Sequence, residues 1–127
     1  MTPEQAVSSL DRALSRNGEL VILQRPIGNN QAWLSVEVNA QVLGYQPHEL
    51  VAGSGIVQGD SKVIISPTQI NAAQWPGGYV ADAQHQGDQR IPIKFDRMMI
   101  AGKPRAVQAA TPRYLAGELV RIEVQVR

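Results

Sequence analysis

The chain contains no cysteine among its 127 residues. This absence excludes disulfide bonds, zinc sites built on thiolate ligands and cysteine nucleophiles, and it is compatible with a reducing compartment. Long apolar runs are also missing, so the sequence predicts neither a membrane-spanning helix nor the apolar core of a signal peptide. We therefore expect a soluble protein with no membrane partner.

Aromatic residues and runs of like charge are scarce. Aromatic residues make up only 5% of the chain, so the core must come mainly from Val, Ile, Leu and Ala, a composition that favours strands. The 12 Lys and Arg residues are interspersed with 11 Asp and Glu residues, giving a net charge of +1. No basic run indicates specific nucleic-acid binding. Hydrophobic residues nevertheless reach 43%, enough for one packed core in a chain of this length.

Periodicity along the chain predicts a mainly β fold with minor α content. Thr2, Pro3 and Gln5 form a helix-start pattern, and the apolar spacing that follows predicts a helix over 3–16. A second Ser-Pro-Thr-Gln start predicts a short helix at 67–73. Alternating or apolar segments predict strands at 19–25, 33–43, 60–65, 91–100, 104–111 and 119–126. We expect a single domain over 1–127, a small antiparallel β-barrel or sandwich with its β core at 19–43, 60–66 and 91–126.

Two glycine-rich segments, 44–59 and 76–90, interrupt this pattern and are predicted to be flexible loops. The first is expected to carry one helical turn near residues 48–50. Between 112 and 117 a longer connection is predicted before the last strand. Trp75 and Pro76 stand where the second loop begins and are expected to anchor it.

The sequence presents no catalytic constellation, and we expect no enzymatic activity, cofactor or metal. Its two histidines, His48 and His85, lie far apart in loops, where isolated imidazoles are usually solvated. Asp82, His85 and Asp88 stand three apart, but a metal site would need a fourth ligand. Ser54 lies between two glycines without the context of a phosphate loop or a nucleophile elbow.

Three segments carry a resemblance to a known family: Gln58–Thr68, Phe95–Ala109 and Gly117–Arg127. They resemble, respectively, a strand entering a Ser-Pro-Thr helix cap, an Asp-Arg strand with a glycine-centred hairpin, and a closing strand. The Gly-Tyr-x-Pro-x-Glu-Leu pattern that ends at Leu50 is similar to the strand and loop that precede them. From about residue 19 onward, the chain resembles the head-closure or head–tail joining proteins of siphophage-type tailed bacteriophages and gene-transfer particles.

This resemblance implies a structural virion protein, one subunit of a homo-oligomeric ring in the neck between the portal or its adaptor and the tail. The partners would be portal, adaptor and tail proteins, with non-specific contact to packaged DNA, and the host cytoplasm would hold the protein before assembly. Both predicted loops are then expected to become ordered on assembly. The candidate interface residues are Tyr45, His48, Leu50, Ile56, Tyr79, Val80, His85 and Arg90.

The residues leave other interpretations open. The N-terminal helix is a second candidate interface, although its apolar stripe has the ordinary width of a helix packed on its own domain. The scattered aromatic residues are compatible with an OB-like module that binds single-stranded nucleic acid, although no basic stripe accompanies them. Another small virion component, such as a tail terminator, fits the same composition.

Overall fold

The structure is a computed structural model that describes residues 1–27, 32–50, 52–77 and 87–127. It contains two α-helices and six strands. In chain order these are α1 (Pro3–Asn17), β1 (Glu19–Ile27), β2 (Ala32–Gly44), β3 (Ser61–Ile65), α2 (Thr68–Ala73), β4 (Arg97–Ile100), β5 (Lys103–Leu115) and β6 (Glu118–Val126). A single 3₁₀ turn, Pro47–Glu49, interrupts the loop between β2 and β3.

The six strands close into an antiparallel barrel in the order β1-β2-β3-β6-β5-β4. Closure is made by β1, which pairs with β2 along its whole length and with β4 through Ile22, Leu23 and Gln24. The prediction of a small antiparallel β-barrel or sandwich is confirmed, and of the two the structure is the barrel. Period-two alternation fills the interior with side chains, chiefly Val21, Leu23, Val36, Val38, Val63, Ile65, Met98, Val107, Ile122 and Val124.

Helix α1 begins at the predicted capping box. The Thr2 hydroxyl accepts a hydrogen bond from the Gln5 backbone N–H, and the Gln5 side chain accepts one from the Thr2 N–H. The helix packs against β2 and β6 and buries Leu14. Its Asp11 carboxylate accepts hydrogen bonds from the hydroxyls of Ser66 (2.5 Å) and Thr68 (2.6 Å), which ties α1 to the start of α2. In the described part of the chain, neither helix is long and apolar enough to span a membrane.

Two predicted boundaries in the C-terminal half are wrong. Strand β4 begins at Arg97, not near residue 91, and residues 91–96 form turns. Strand β5 continues to Leu115, so the connection predicted over 112–117 is a tight turn at Ala116 and Gly117. Pro112 lies within β5, opposite Ile122 of β6 and beyond the part of β5 that pairs with β4. A proline is tolerated there because only one neighbouring strand requires backbone hydrogen bonds.

Candidate functional site

The loop between β2 and β3, residues 45–60, is held by the buried carboxylate of Asp60. This carboxylate accepts hydrogen bonds from Arg127 Nε (2.8 Å), Gln125 Nε2 (2.8 Å) and the Val57 backbone N–H (3.1 Å). These donors favour the charged form of Asp60 and lower its pKa well below the ordinary value. The contacts fasten one end of the loop to the last strand of the barrel.

Further contacts hold the glycines of this loop. Gln125 Nε2 donates to the Gly55 carbonyl (3.0 Å), and Arg127 Nη2 donates to the same oxygen (3.3 Å). Arg105, from β5, donates to the Gly59 carbonyl (3.0 Å). Side chains from two strands therefore position a loop that has little regular secondary structure of its own.

Tyr45 and Ile56, two predicted interface residues, line a pocket of about 270 Å³ between this loop and the outer faces of β5 and β6. The ammonium group of Lys62 lies 5.5 Å from the centroid of the Tyr45 ring and 3.8 Å from Glu49 Oε2. Partial burial, with the nearby carboxylates of Asp60 and Glu49, raises the pKa of the Tyr45 hydroxyl above its ordinary value. Tyr45 is therefore uncharged at neutral pH and presents a mainly apolar wall.

Beside this pocket the loop exposes apolar side chains to solvent. Leu50 is 37% exposed and Val57 48% exposed, and Leu43, at the end of β2, is 38% exposed. His48 is also exposed, and its ring lies 4.0 Å from Glu49, at the outer limit of an ion pair. The structure thus brings Tyr45, His48, Leu50 and Ile56 into one loop. We call this surface, residues 43–50 and 52–57, the loop surface.

Arg90 does not belong to the loop surface. It forms a two-pronged ion pair with Asp88, with Nη2 2.6 Å from Oδ2, and its Nη1 donates to the Asn71 side chain at 2.9 Å. The Arg90 guanidinium lowers the pKa of Asp88, and Asp88 also lies 3.4 Å from the Tyr114 hydroxyl. Arg90 therefore ties the segment after residue 87 to α2, and its role at an interface stays a prediction. Tyr79, Val80 and His85 lie outside the described residues.

The sequence interpretation missed a buried ion pair between Arg25 of β1 and Asp96, which directly precedes β4. Arg25 is fully buried, and its Nε and Nη2 donate to the Asp96 carboxylate at 2.9–3.2 Å. Its remaining donors reach the carbonyls of Gln89 (2.7 Å) and Ile91 (3.1 Å), and the Trp75 ring covers it at 4.5 Å. A signal was present, because Arg25 shares the inward parity of Val21 and Leu23 along β1.

Three of the described aromatic rings, those of Trp33, Tyr45 and Trp75, are engaged within the fold, whereas Phe95 (67%) and Tyr114 (49%) are exposed. Arg97 stacks on Trp33 at 3.6 Å, and Trp75 is buried with its Nε1 donating to the Leu34 carbonyl at 2.9 Å. Tyr45 is occupied by Lys62, as described above. Stacking of bases on the three engaged rings would require displacing their existing partners.

Within residues 1–27, 32–50, 52–77 and 87–127, no group of three His, Asp or Glu side chains is placed to hold a metal ion. Asp88, one of the three residues considered for such a site, is held by Arg90. The carboxylates of Asp60 and Asp96 are saturated by arginine and backbone donors. Among the described residues, these three carboxylates therefore serve contacts within the fold.

The sequence matches no protein-family model and no curated protein.

Proposed function

We propose that this protein is a structural subunit of the head–tail connector of a tailed bacteriophage, in the position of a head-closure protein. In this role it assembles as a ring between the portal or its adaptor and the tail. The loop surface makes the contacts between subunits or with the next component. The observation that carries the proposal is this surface, an apolar loop held in place by strand side chains and exposed to solvent.

The bracing of the loop favours a binding role. When a partner covers the exposed Leu and Val side chains, the complex is stabilised by roughly 25 cal/mol per Å² of buried apolar surface. Because Asp60, Gln125 and Arg127 already position the loop backbone, less conformational entropy is lost on binding than for an unattached loop. A ring subunit needs such preformed surfaces.

The family resemblance at the sequence level supports the same role. The segments that carry it coincide with β3 and the start of α2, with β4 and the β4–β5 hairpin, and with β6. These elements form one side of the barrel, since β6 pairs with both β3 and β5. The barrel is thus compatible with the architecture that the resemblance implies.

The experiment tests assembly with the purified full-length protein. Its mass is measured by light scattering, alone and after mixing with portal-bearing particles and with the adaptor and tail proteins encoded beside it, and the mixtures are imaged by negative stain. We expect a ring with an axial hole, or a monomer that joins portal-bearing particles. The variants Leu50→Glu and Val57→Glu should remain folded and fail to join.

Leu20→Glu is the matched control, because Leu20 is 58% exposed on β1, away from the loop surface. This variant should assemble like the parent protein. A protein that stays monomeric in every mixture contradicts the proposal. Binding to tail tubes alone would assign the tail-terminator role, and salt-sensitive binding to single-stranded DNA would favour the nucleic-acid-binding module.

A further inference from the structure

A second surface lies between α1 and the barrel, apart from the loop surface. One face of α1 borders an open groove of about 360 Å³ against β5 and β6. Its floor is apolar, formed by Ala6, Leu10 and Ala13 of the helix and Val120 of β6. The helix residues follow the spacing of one helical face, so the groove runs along the helix axis.

Arginines surround this apolar floor. Arg113 and Arg121 line the groove on the strand side. On the helix side, Arg12 and Arg16 line an adjoining depression that shares Ser9 and Ala13 with the groove. Four arginines thus border one narrow apolar surface in a protein whose net charge is only +1.

Few acidic groups neutralise these arginines. Glu123 pairs with Arg121 at 3.0 Å and with Arg113 at 3.9 Å, yet Arg113 remains 63% exposed and Arg121 39% exposed. Arg12 and Arg16 are exposed, and neither makes an ion pair with any residue that the structure describes. The groove therefore carries a local excess of positive charge that its own domain leaves unbalanced.

We propose that this groove docks an acidic amphipathic helix of a partner protein. One or two apolar side chains of that helix enter the groove, while its Asp or Glu side chains pair with the bordering arginines. An apolar stripe on a groove floor with complementary charge at its edges is the usual pattern of helix-in-groove recognition. The small side chains of Ala6 and Ala13 allow the two helices to approach closely. The inference goes beyond the connector role and does not depend on it.

The apolar floor favours a protein partner over nucleic acid. A phosphate backbone would pair with the arginines but leave Leu10 and Val120 uncovered, whereas an amphipathic helix satisfies both features. The described helices of this chain are poor counterparts for a second copy, since α2 has no acidic residue and α1 has only Glu4 and Asp11, the latter bound to Ser66 and Thr68.

The test uses two fluorescein-labelled synthetic helical peptides and the full-length protein. One peptide has a leucine stripe flanked by glutamates, and the other has lysine in place of every glutamate. Fluorescence anisotropy should show binding of the glutamate peptide alone, with an affinity that falls as salt rises. The double variant Arg12→Gln, Arg16→Gln should weaken binding about fivefold, in line with the loss of two exposed ion pairs. Ala13→Trp, which fills the groove, should abolish it.

The matched control is Lys94→Gln, Lys103→Gln, which removes the same charge from exposed positions outside the groove and should leave the affinity unchanged. Circular dichroism establishes that every variant is folded. Failure of the glutamate peptide to bind overturns the proposal, as does equal binding of both peptides. Two further outcomes would overturn it. If the groove variants abolish binding to a DNA oligonucleotide and not to the peptide, nucleic acid is the occupant. If the protein self-associates in sedimentation and Ala13→Trp abolishes that association, a second copy is the occupant.

Discussion

At the residue scale, the fold depends on two arginine–carboxylate clusters. Arg25 with Asp96 lies near the start of β2, and Arg127 with Asp60 lies near its end. Arg25 pairs across the β1–β2 ladder with Leu34 near the start of β2, and Ser61, next to Asp60, pairs with Gly44 at its end. In both clusters an aspartate just before one strand is held by an arginine that lies in, or directly after, another strand. Each cluster holds against the barrel a turn or loop that has few backbone hydrogen bonds of its own.

Removing Arg25 should destabilise the protein strongly. Arg25→Met leaves the buried Asp96 carboxylate without its partner, and we expect the free energy of unfolding to fall by about 3–5 kcal/mol. The measurement is urea denaturation followed by circular dichroism. The double variant Arg25→Met, Asp96→Leu removes both charges and should recover much of the loss. Equal stabilities for the parent protein and Arg25→Met would refute the buried-pair interpretation.

The Asp60 cluster should make stability depend on pH. Because the pKa of Asp60 is lowered in the folded state, its contribution is present above the ordinary value of 3.8 and is lost as the pH falls through the folded pKa. Asp60→Asn should therefore lower the free energy of unfolding by about 1–3 kcal/mol at pH 7. The difference from the parent protein should shrink progressively below about pH 4.

Denaturation curves at several pH values check this dependence. Glu37→Gln is the control, because Glu37 is exposed on β2 and makes no ion pair in the described structure. Glu37→Gln should change the free energy of unfolding little at every pH measured. A difference between Asp60→Asn and the parent that stays constant from pH 7 to pH 3 would show that charge is not the source of the effect.

At the scale of the elements, α1 is fixed to the barrel by the close approach at its C-terminal end. A Cβ atom at Gly18 would lie 2.4 Å from the Leu14 carbonyl oxygen and 2.6 Å from that of Ala40, both in the backbone. The backbone of Gly18 is extended, with φ −96°, so the constraint is space and not the sign of φ. Glycine is needed here because the backbone of the last turn of α1 and the backbone of β2 both leave no room for a Cβ atom.

Gly18→Ala should force α1 away from β2 and lower the free energy of unfolding by about 1–3 kcal/mol. Gly44→Ala is the matched control, since a Cβ atom at Gly44 meets nothing within 4 Å. We expect that control to stay within about 0.5 kcal/mol of the parent protein. Thermal unfolding of both variants is the measurement, and equal effects at the two glycines would contradict the steric argument.

The elements also show which parts of the fold can be predicted from local sequence patterns. Helix α1 and strands β1, β2, β3 and β6 lie close to where periodicity predicts them, because each has its own capping or alternation signal. The segment 91–96 has strand-like residues but no strand. Its Ile93 N–H is bound by the Asp96 side chain and its Ile91 carbonyl by Arg25, so distant and side-chain partners replace the ladder. No local pattern contains that information.

At the scale of the whole molecule, the barrel and the loop surface should differ in stability. The barrel strands carry backbone ladders, with two register shifts between β5 and β6, whereas the described residues of the loop between β2 and β3 rely on a few turns and on side chains. We expect amide hydrogens of the strands to exchange slowly in the free protein and those of residues 45–50 and 52–56 to exchange rapidly, because few of these amides donate backbone hydrogen bonds although side chains hold the loop in place. Protection of the loop should rise in the assembled connector.

Hydrogen exchange read by mass spectrometry, on the free protein and on assembled particles, provides the comparison. The strands β1 and β6 are the internal control and should be protected in both states. Strong protection of the loop in the free protein, or no gain of protection on assembly, would contradict this expectation.

The sequence by itself determined the mainly β fold, the two helices and most strand positions, because these follow from spacing and capping within short stretches. It also placed Tyr45, His48, Leu50 and Ile56 in one loop, since they are close in the chain. Only the tertiary structure decided that Arg25 is buried against Asp96, that Arg90 serves an internal contact, and that Asp60 holds the loop. The Arg25–Asp96, Asp60–Arg127 and Arg90–Asn71 contacts join residues that are far apart in the chain, and only the folded barrel brings such groups together.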